Sequence, residues 1–267
     1  MRASGTALRR DSTRRLSRRS HGRGLRSLLE PQLDANLDTA RSRAWDVGYD
    51  HRLNKLWSFH IGMLDRQGSH ELIVNPVRTR TTGELVLSST GNSRYRGADV
   101  SVHFTRAPSA DITVSYTRST ARADLNALTN YFDTILWPVL GENAYAPAAA
   151  DAPNRVLMRG RVLPTPRWLV LGIFDLRNGL PYSTVDDNFE FVGPRNQLRF
   201  PVYHRLEVGL ERRFKILKFD PWIGVRVWNA LDSFLPVDVQ ANVHSPAYGT
   251  FYNSEYRQVR IQLRFEK

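Results

Sequence analysis

At 267 residues the chain can form one large β domain or two smaller ones, and its 41% hydrophobic residues suffice for a core or a lipid-facing band. No run approaches the ~18 consecutive apolar residues of a membrane-spanning helix, and the absence of cysteine excludes a disulfide framework and thiolate zinc sites. The net charge of +12 is uneven: residues 1–30 hold nine Arg against Asp11 and Glu30, so +7 of it sits in that first stretch.

Residues 1–40 read as a basic low-complexity arm, with Arg9-Arg10, Arg14-Arg15 and Arg18-Arg19 set among Ser, Thr and Gly. Such a block repels itself and has too little apolar surface to fold alone, so it is expected to be disordered. It has no apolar stretch followed by a small-residue cleavage site, so it is read as neither a secretory signal nor, on its twin arginines alone, a twin-arginine leader. A nucleic-acid-binding role is not assigned, because no aromatic residue is interleaved and no binding fold follows.

From residue 41 to 267 the chain reads as one β domain, with strands expected near 43–53, 55–74, 83–106, 110–122, 154–164, 167–178, 201–213, 218–229 and 255–266. Several alternate with period two, as half-buried strands do. Trp57, Phe59, Ile61 and Met63 oppose Ser58, His60 and Gly62; Val100, Val102 and Phe104 oppose Asp99, Ser101, His103 and Thr105. Leu206, Val208 and Leu210 oppose Glu207, Gly209 and Glu211; Ile223, Val225 and Val227 oppose Gly224, Arg226 and Trp228. The segment at 167–178 is apolar on both faces through its middle. The segment at 83–106 would span roughly 80 Å at ~3.3 Å per residue, so it must project beyond a bilayer or break near Gly91-Asn92. In the last strand Val259, Ile261, Leu263 and Phe265 share one face, while Gln258, Arg260, Gln262 and Arg264 share the other. Its length of about ten residues suits a tilted bilayer crossing.

Short connections are expected near 53–54, 107–109, 164–166 and 215–217, and long ones near 75–82, 123–153, 179–200 and 230–254. This strict alternation is the habit of outer-membrane barrels, whose periplasmic turns are tight and whose extracellular loops are long. Aromatics gather near strand ends (Trp45, Tyr49, Trp57, Tyr182, Tyr203, Trp222, Trp228, Tyr256, Phe265), as interfacial girdles do.

Against this background, short stretches resemble the C-terminal part of the β-barrel domain of TonB-dependent outer-membrane receptors. Trp45 to Arg66 (WDVGYDHRLNKLWSFHIGMLDR) resembles that family's strand–turn–strand, and residues 89–102 (STGNSRYRGADVSV) resemble its "N-x-G…GVE" segment. Leu176 to Ser183 (LRNGLPYS) and Asn229 to Phe234 (NALDSF) resemble its "SGLPY" and "NLFD" turns, and the amphipathic last strand follows in order. The family carries a plug domain, a TonB-contacting box and about 22 strands. About nine strands are countable here, with no plug, box or signal peptide, and Glu266-Lys267 follow the terminal aromatic. The expected fold is therefore all-β, an antiparallel transmembrane β-barrel present in part, as about nine strands of a larger one.

No catalytic or metal constellation stands out, so no enzyme activity, cofactor or metal is assigned. The histidines lack metal-ligand spacing; Ser101 and His103 share a face without a third triad member. Glu207 and Glu211 are too far apart for a carboxylate pair, and with Arg212 and Arg213 they read as an inward charge ladder. The resemblance implies uptake of a scarce solute such as an iron chelate, cobalamin or oligosaccharide at the cell outer membrane. The implied partners are outer-membrane lipid, the barrel-insertion machinery, the remainder of a receptor and, where a plug is supplied, the TonB protein. Candidate ligand-binding residues are the loop aromatics Tyr131, Phe132, Trp137, Tyr145, Tyr248, Phe251 and Tyr252; the competing role is to pack the loops onto one another. The alternative function is a soluble all-β binding domain with a basic arm, which would bury Val259, Ile261 and Leu263 in a dry core. An outer-membrane hydrolase would need a rim triad that these residues do not assemble.

Overall fold

A computed structural model describes residues 32–34, 36–78, 83–127, 141–215 and 220–265, and all regular structure among them is β. Nine strands form the wall: β1 (Arg41–Arg52), β2 (Trp57–Arg78), β3 (Gly83–Arg106), β4 (Ala110–Asp124), β5 (Asn154–Thr165), β6 (Trp168–Arg177), β7 (Tyr203–Arg213), β8 (Pro221–Trp228) and β9 (Gln258–Phe265). Each pairs antiparallel with its sequence neighbours, giving a meander in which, among the described residues, β1 and β9 have one neighbour each. Gln32–Leu33, from the end of the basic arm, add a parallel pairing to Val86–Leu87 on β3.

Among the described residues, close strand contacts follow these ladders, and the nine wall strands belong to one sheet.

Burial says which face is which. Along β7 the carboxylates Glu207 and Glu211 are buried, while Val208 and Leu210 between and beside them are exposed. In β8 Trp222 and Gly224 are buried while Ile223 and Val225 are exposed. This inverts the order of a water-soluble protein, where aliphatics go in and carboxylates come out. It suits a barrel wall, whose polar side faces the lumen and whose apolar side faces lipid. The register lines up these apolar residues across strands: Phe59, Val102, Val114, Met158, Phe174 and Leu206 form one row. Val162, Val170, Leu210, Val225 and Ile261 form another. In β9 Val259, Ile261 and Leu263 are 64%, 81% and 60% exposed, the outward placement rather than the dry-core one.

All nine expected strands form, within a few residues of their expected bounds. One expectation needs correction. The first half of the connection expected over 75–82 is strand, since β2 continues to Arg78. Of the two alternatives for the segment at 83–106, the break does not occur and the strand is continuous: two register shifts, between Gly68 and Glu71 and between Glu71 and Ile73, place one extra residue first on β2 and then on β3. The two bulges offset each other, so the hairpin bends without losing its pairing. Gly91 sits at this bend because a Cβ there would lie 2.6 Å from an Ile73 methyl and 2.7 Å from the Glu71 carbonyl oxygen. Beyond it, Ile73, Val74, Leu87 and Leu125 are buried, Val74 and Leu87 as a cross-strand pair.

The turns at Leu53–Leu56, Ala107–Ser109 and Pro166–Arg167 and the link from β7 to β8 share one edge of the sheet, and the long connections share the other.

Candidate functional site

The polar face is built from alternate residues of all nine strands, and its charges are organised by cross-strand pairing. Arg155 donates twice to Asp175, at 2.9 Å each, in a side-on fork. Arg226 lies 3.6 Å from Glu207, and Arg264 donates to Glu211 at 3.1 Å. The ladder expected from Glu207, Glu211, Arg212 and Arg213 therefore draws its arginines from β8 and β9. Arg212 is on the opposite face, its guanidinium 5.1 Å from the Trp168 ring, and Arg213 pairs with Asp220. Residues adjacent in a strand point to opposite sides, so Arg212 is unable to reach either carboxylate. His60 sits between Asp50 and Asp99, at 2.9 and 3.6 Å. His103 Nε2 is 2.9 Å from the Thr105 hydroxyl and 3.3 Å from Asp111, so its contacts run to those residues and not to Ser101. Among the described residues no group of three or more His, Asp or Glu could hold a metal ion.

The long connections form a collar over one end of this face. Residues 178–202 and 229–257 meet edge to edge: Val185 N–H donates to the Ala241 carbonyl, Val243 N–H to the Val185 carbonyl, and Asp187 accepts from Asn242 at 2.8 Å. His244 Nδ1 is 3.0 Å from Asp187. Residues 141–153 are tied in by Arg199, which donates to Asp151 and to the Gly179 carbonyl, and by Asn196, which donates to the Pro147 carbonyl. Asn126, 2% exposed, links three segments by donating to Gly141 O and Asn75 Oδ1 and accepting from Arg195. Burial lowers the Arg195 pKa from its ordinary value; its guanidinium rests 4.0 Å from the Phe191 ring. At Gly179 the chains approach so closely that a Cβ would meet the Phe200 carbonyl oxygen at 1.8 Å, which accounts for glycine in the LRNGLPYS stretch.

Of the candidate capture aromatics, Tyr131, Phe132 and Trp137 lie outside the described residues. Phe251 packs with Tyr182 and Phe200, ring centroids 6.0 and 5.3 Å away, in a cluster that joins two connections. Burial first, then Tyr248 nearby, raises the Tyr182 pKa from its ordinary value. Tyr248 and Tyr252 are exposed on the same connection as Phe251. Tyr145 stands apart, exposed, with the Arg122 guanidinium 5.4 Å from its ring. The structure thus brings Phe251 and Tyr248 to Tyr182 and leaves Tyr145 on another connection.

The Asp187 contact carries a pH prediction. Hydrogen bonds from Asn242 and His244 hold the Asp187 pKa below its ordinary value. The stabilisation is therefore complete above the unfolded value of about 3.9 and is lost as pH falls through the lower folded value. Protease cleavage within 182–190 should stay slow from neutral pH down to about 5 and accelerate below about 4. In Asp187→Asn that acid-dependent change should shrink; an unchanged profile would show that other groups hold the two connections together.

No protein-family model matches the chain, and no curated protein sequence matches it. Solved structures do. The outer-membrane transporter YddB of Escherichia coli aligns over 85% of this chain and 33% of its own, with 11% identity and a TM-score of 0.62. The FrpB iron transporter of Neisseria meningitidis aligns over 87% of this chain and 32% of its own, with 13% identity and a TM-score of 0.58. The chain spans about a third of the length of these two transporters. Its fold is that of part of an outer-membrane transporter barrel.

Proposed function

We propose that this chain is a wall segment of a TonB-dependent-receptor-type barrel in the outer membrane, with a role in binding and taking up a scarce solute such as an iron chelate, cobalamin or an oligosaccharide. The observation that carries this reading is the inverted burial of β7, buried Glu207 and Glu211 beside exposed Val208 and Leu210. The fold shared with two outer-membrane transporters supports it. In this reading the collar of connections at 141–153, 178–202 and 229–257 faces the outside of the cell and captures the solute, with Tyr145, Tyr248, Phe251 and Tyr252 among the contact residues. Tyr131, Phe132 and Trp137 belong to the same proposed surface.

The single-neighbour strands β1 and β9 bear on partners. An open edge in hydrocarbon leaves backbone N–H and C=O groups without partners, which lipid cannot satisfy. Both edges therefore pair with further strands, from the remainder of a receptor or from another copy of the chain. The barrel-insertion machinery delivers the closed assembly to lipid, and coupling to the TonB protein runs through a plug domain.

Membrane fractionation with heated and unheated gel migration tests the reading. Heat-modifiable migration in the outer-membrane fraction is the expected result. A folded soluble monomer without a heat shift would overturn it in favour of a soluble β domain.

A further inference from the structure

Two arginines of the polar face stand apart from the ion-pair ladder. Arg177, the last residue of β6, is held by an aromatic ring: its guanidinium is 4.3 Å from the Tyr203 centroid, and its Nε is buried without a hydrogen-bond partner. Arg205, one turn of the pleat along β7 from Tyr203, lies 3.6 Å from the Trp228 centroid and 5.8 Å from Tyr203. Its Nε is also buried without a partner. Glu255 approaches it only to 4.0 Å, and Glu255 Oε2 is itself buried with no hydrogen bond. Rings attract a cation through their quadrupole without accepting its N–H groups in the plane of the fork. Arg155, by contrast, spends its fork on Asp175.

Beside this stack is a cleft of about 180 Å³, lined by Arg177, Tyr203 and Glu255 on one side and by Phe200, Phe234 and Leu235 among its apolar residues. At ~30 Å³ per water it has room for about six waters, or for a small ring. Its charged neighbours, Arg177, Arg205 and Glu255, sum to one positive charge, which matches a monoanion better than a phosphate dianion.

We propose that this cleft is a binding subsite for a monoanionic organic carboxylate with an apolar or aromatic body, free or carried as one arm of a larger solute. The carboxylate takes the two terminal Nη groups of Arg177 end-on, its Nε being buried, an interaction that guanidinium geometry favours. The body enters the apolar side against Phe200 and Phe234. Glu255 stands at the polar side and disfavours a second negative charge. The subsite rests on the solute-binding reading above and narrows its ligand class.

Benzoate is the probe, titrated calorimetrically against the full chain in detergent micelles, with benzylamine as the charge-reversed control. Saturable benzoate binding without benzylamine binding is expected. Arg177→Gln should weaken it at least tenfold, and Arg159→Gln, on the same face but outside the cleft, should leave it unchanged. Val237→Trp, at the exposed rim, should also abolish binding by filling the mouth while leaving Arg177 in place. Absence of benzoate binding, or binding undiminished in both Arg177→Gln and Val237→Trp, overturns the subsite. Heat-modifiable migration is read on the same samples. A heat-modifiable chain that ignores benzoate removes the subsite and leaves the barrel reading standing; a chain that binds benzoate without a heat shift does the reverse.

Discussion

Replacing Val114 by Arg is expected to weaken membrane insertion and folding by about 2–4 kcal/mol, the range for a cation on the lipid side of a barrel at mid-bilayer depth. Val114 is exposed on β4, between Val102 of β3 and Met158 of β5, in the row that runs on to Phe174 and Leu206. In the proposed barrel wall an arginine there would have hydrocarbon on one side and aliphatic neighbours on the other. The same residue introduced at Thr117 should be nearly neutral. Thr117 is on the polar face between Asp99 and Arg155, so its new charge meets a carboxylate across one ladder and a guanidinium across the other, and the two nearly offset. Urea titration of the chain refolded into vesicles, read by the heat-shifted band, measures both. Equal losses for the two variants would contradict the assigned faces; a large loss only at Thr117 would reverse them.

The second large effect is at Asn229. This residue is fully buried at the end of β8, with a backbone φ of +48°. Its amide donates to the Ser233 and Glu255 carbonyls and accepts from the Ser233 N–H. It thereby fixes the turn into the 229–257 connection and ties both ends of that connection together. Asn229→Ala removes all three bonds, leaves their partners buried, and puts a Cβ-bearing residue without a compensating side chain in the left-handed region. A loss of about 3–5 kcal/mol is expected, with rapid protease cleavage between 230 and 254. Asn229→Gly keeps the backbone conformation but not the bonds, so it should fall between the two. If alanine and glycine are both as stable as the parent, the amide is not what holds the connection.

The wall strands were legible because an apolar face and a polar face on the same sheet impose period two along each of them. β3 is the clearest case, since its Val100, Val102 and Phe104 alternate with Asp99, Ser101 and His103 and its bounds match expectation. β6 is apolar on both faces because Leu169, buried on the polar side, lies opposite Glu211 and Leu171 opposite Gly209. What escaped the sequence depends on pairs far apart in the chain. Arg155 and Asp175 meet across a ladder, and nothing local to either residue announces it. Glu207 and Glu211 were given arginine partners by proximity in sequence, and the register gave them others. The collar was hidden for a related reason. Its short hairpins, such as Pro236–Val239 with Phe251–Ser254, are held by turns, amides and positive-φ residues such as Asp232 and Asn253, with no amphipathic period to read. The NALDSF resemblance marked the right place at Asn229, but its bond to the Glu255 carbonyl joins residues 26 apart and leaves no local pattern to read.

The most direct measurement of the central claim, that one face of this sheet meets lipid and the other water, is a spin-label scan of residues 112 to 117 in β4. The chain contains no cysteine, so each introduced thiol is the sole attachment point. Labels at Ile112, Val114 and Tyr116 should be relaxed preferentially by membrane-dissolved oxygen, and labels at Thr113, Ser115 and Thr117 by a water-soluble nickel chelate. An accessibility that alternates in this phase would place the apolar face in the bilayer. A scan with no alternation, or with Val114 shielded from both reagents as in a dry core, would contradict the barrel wall.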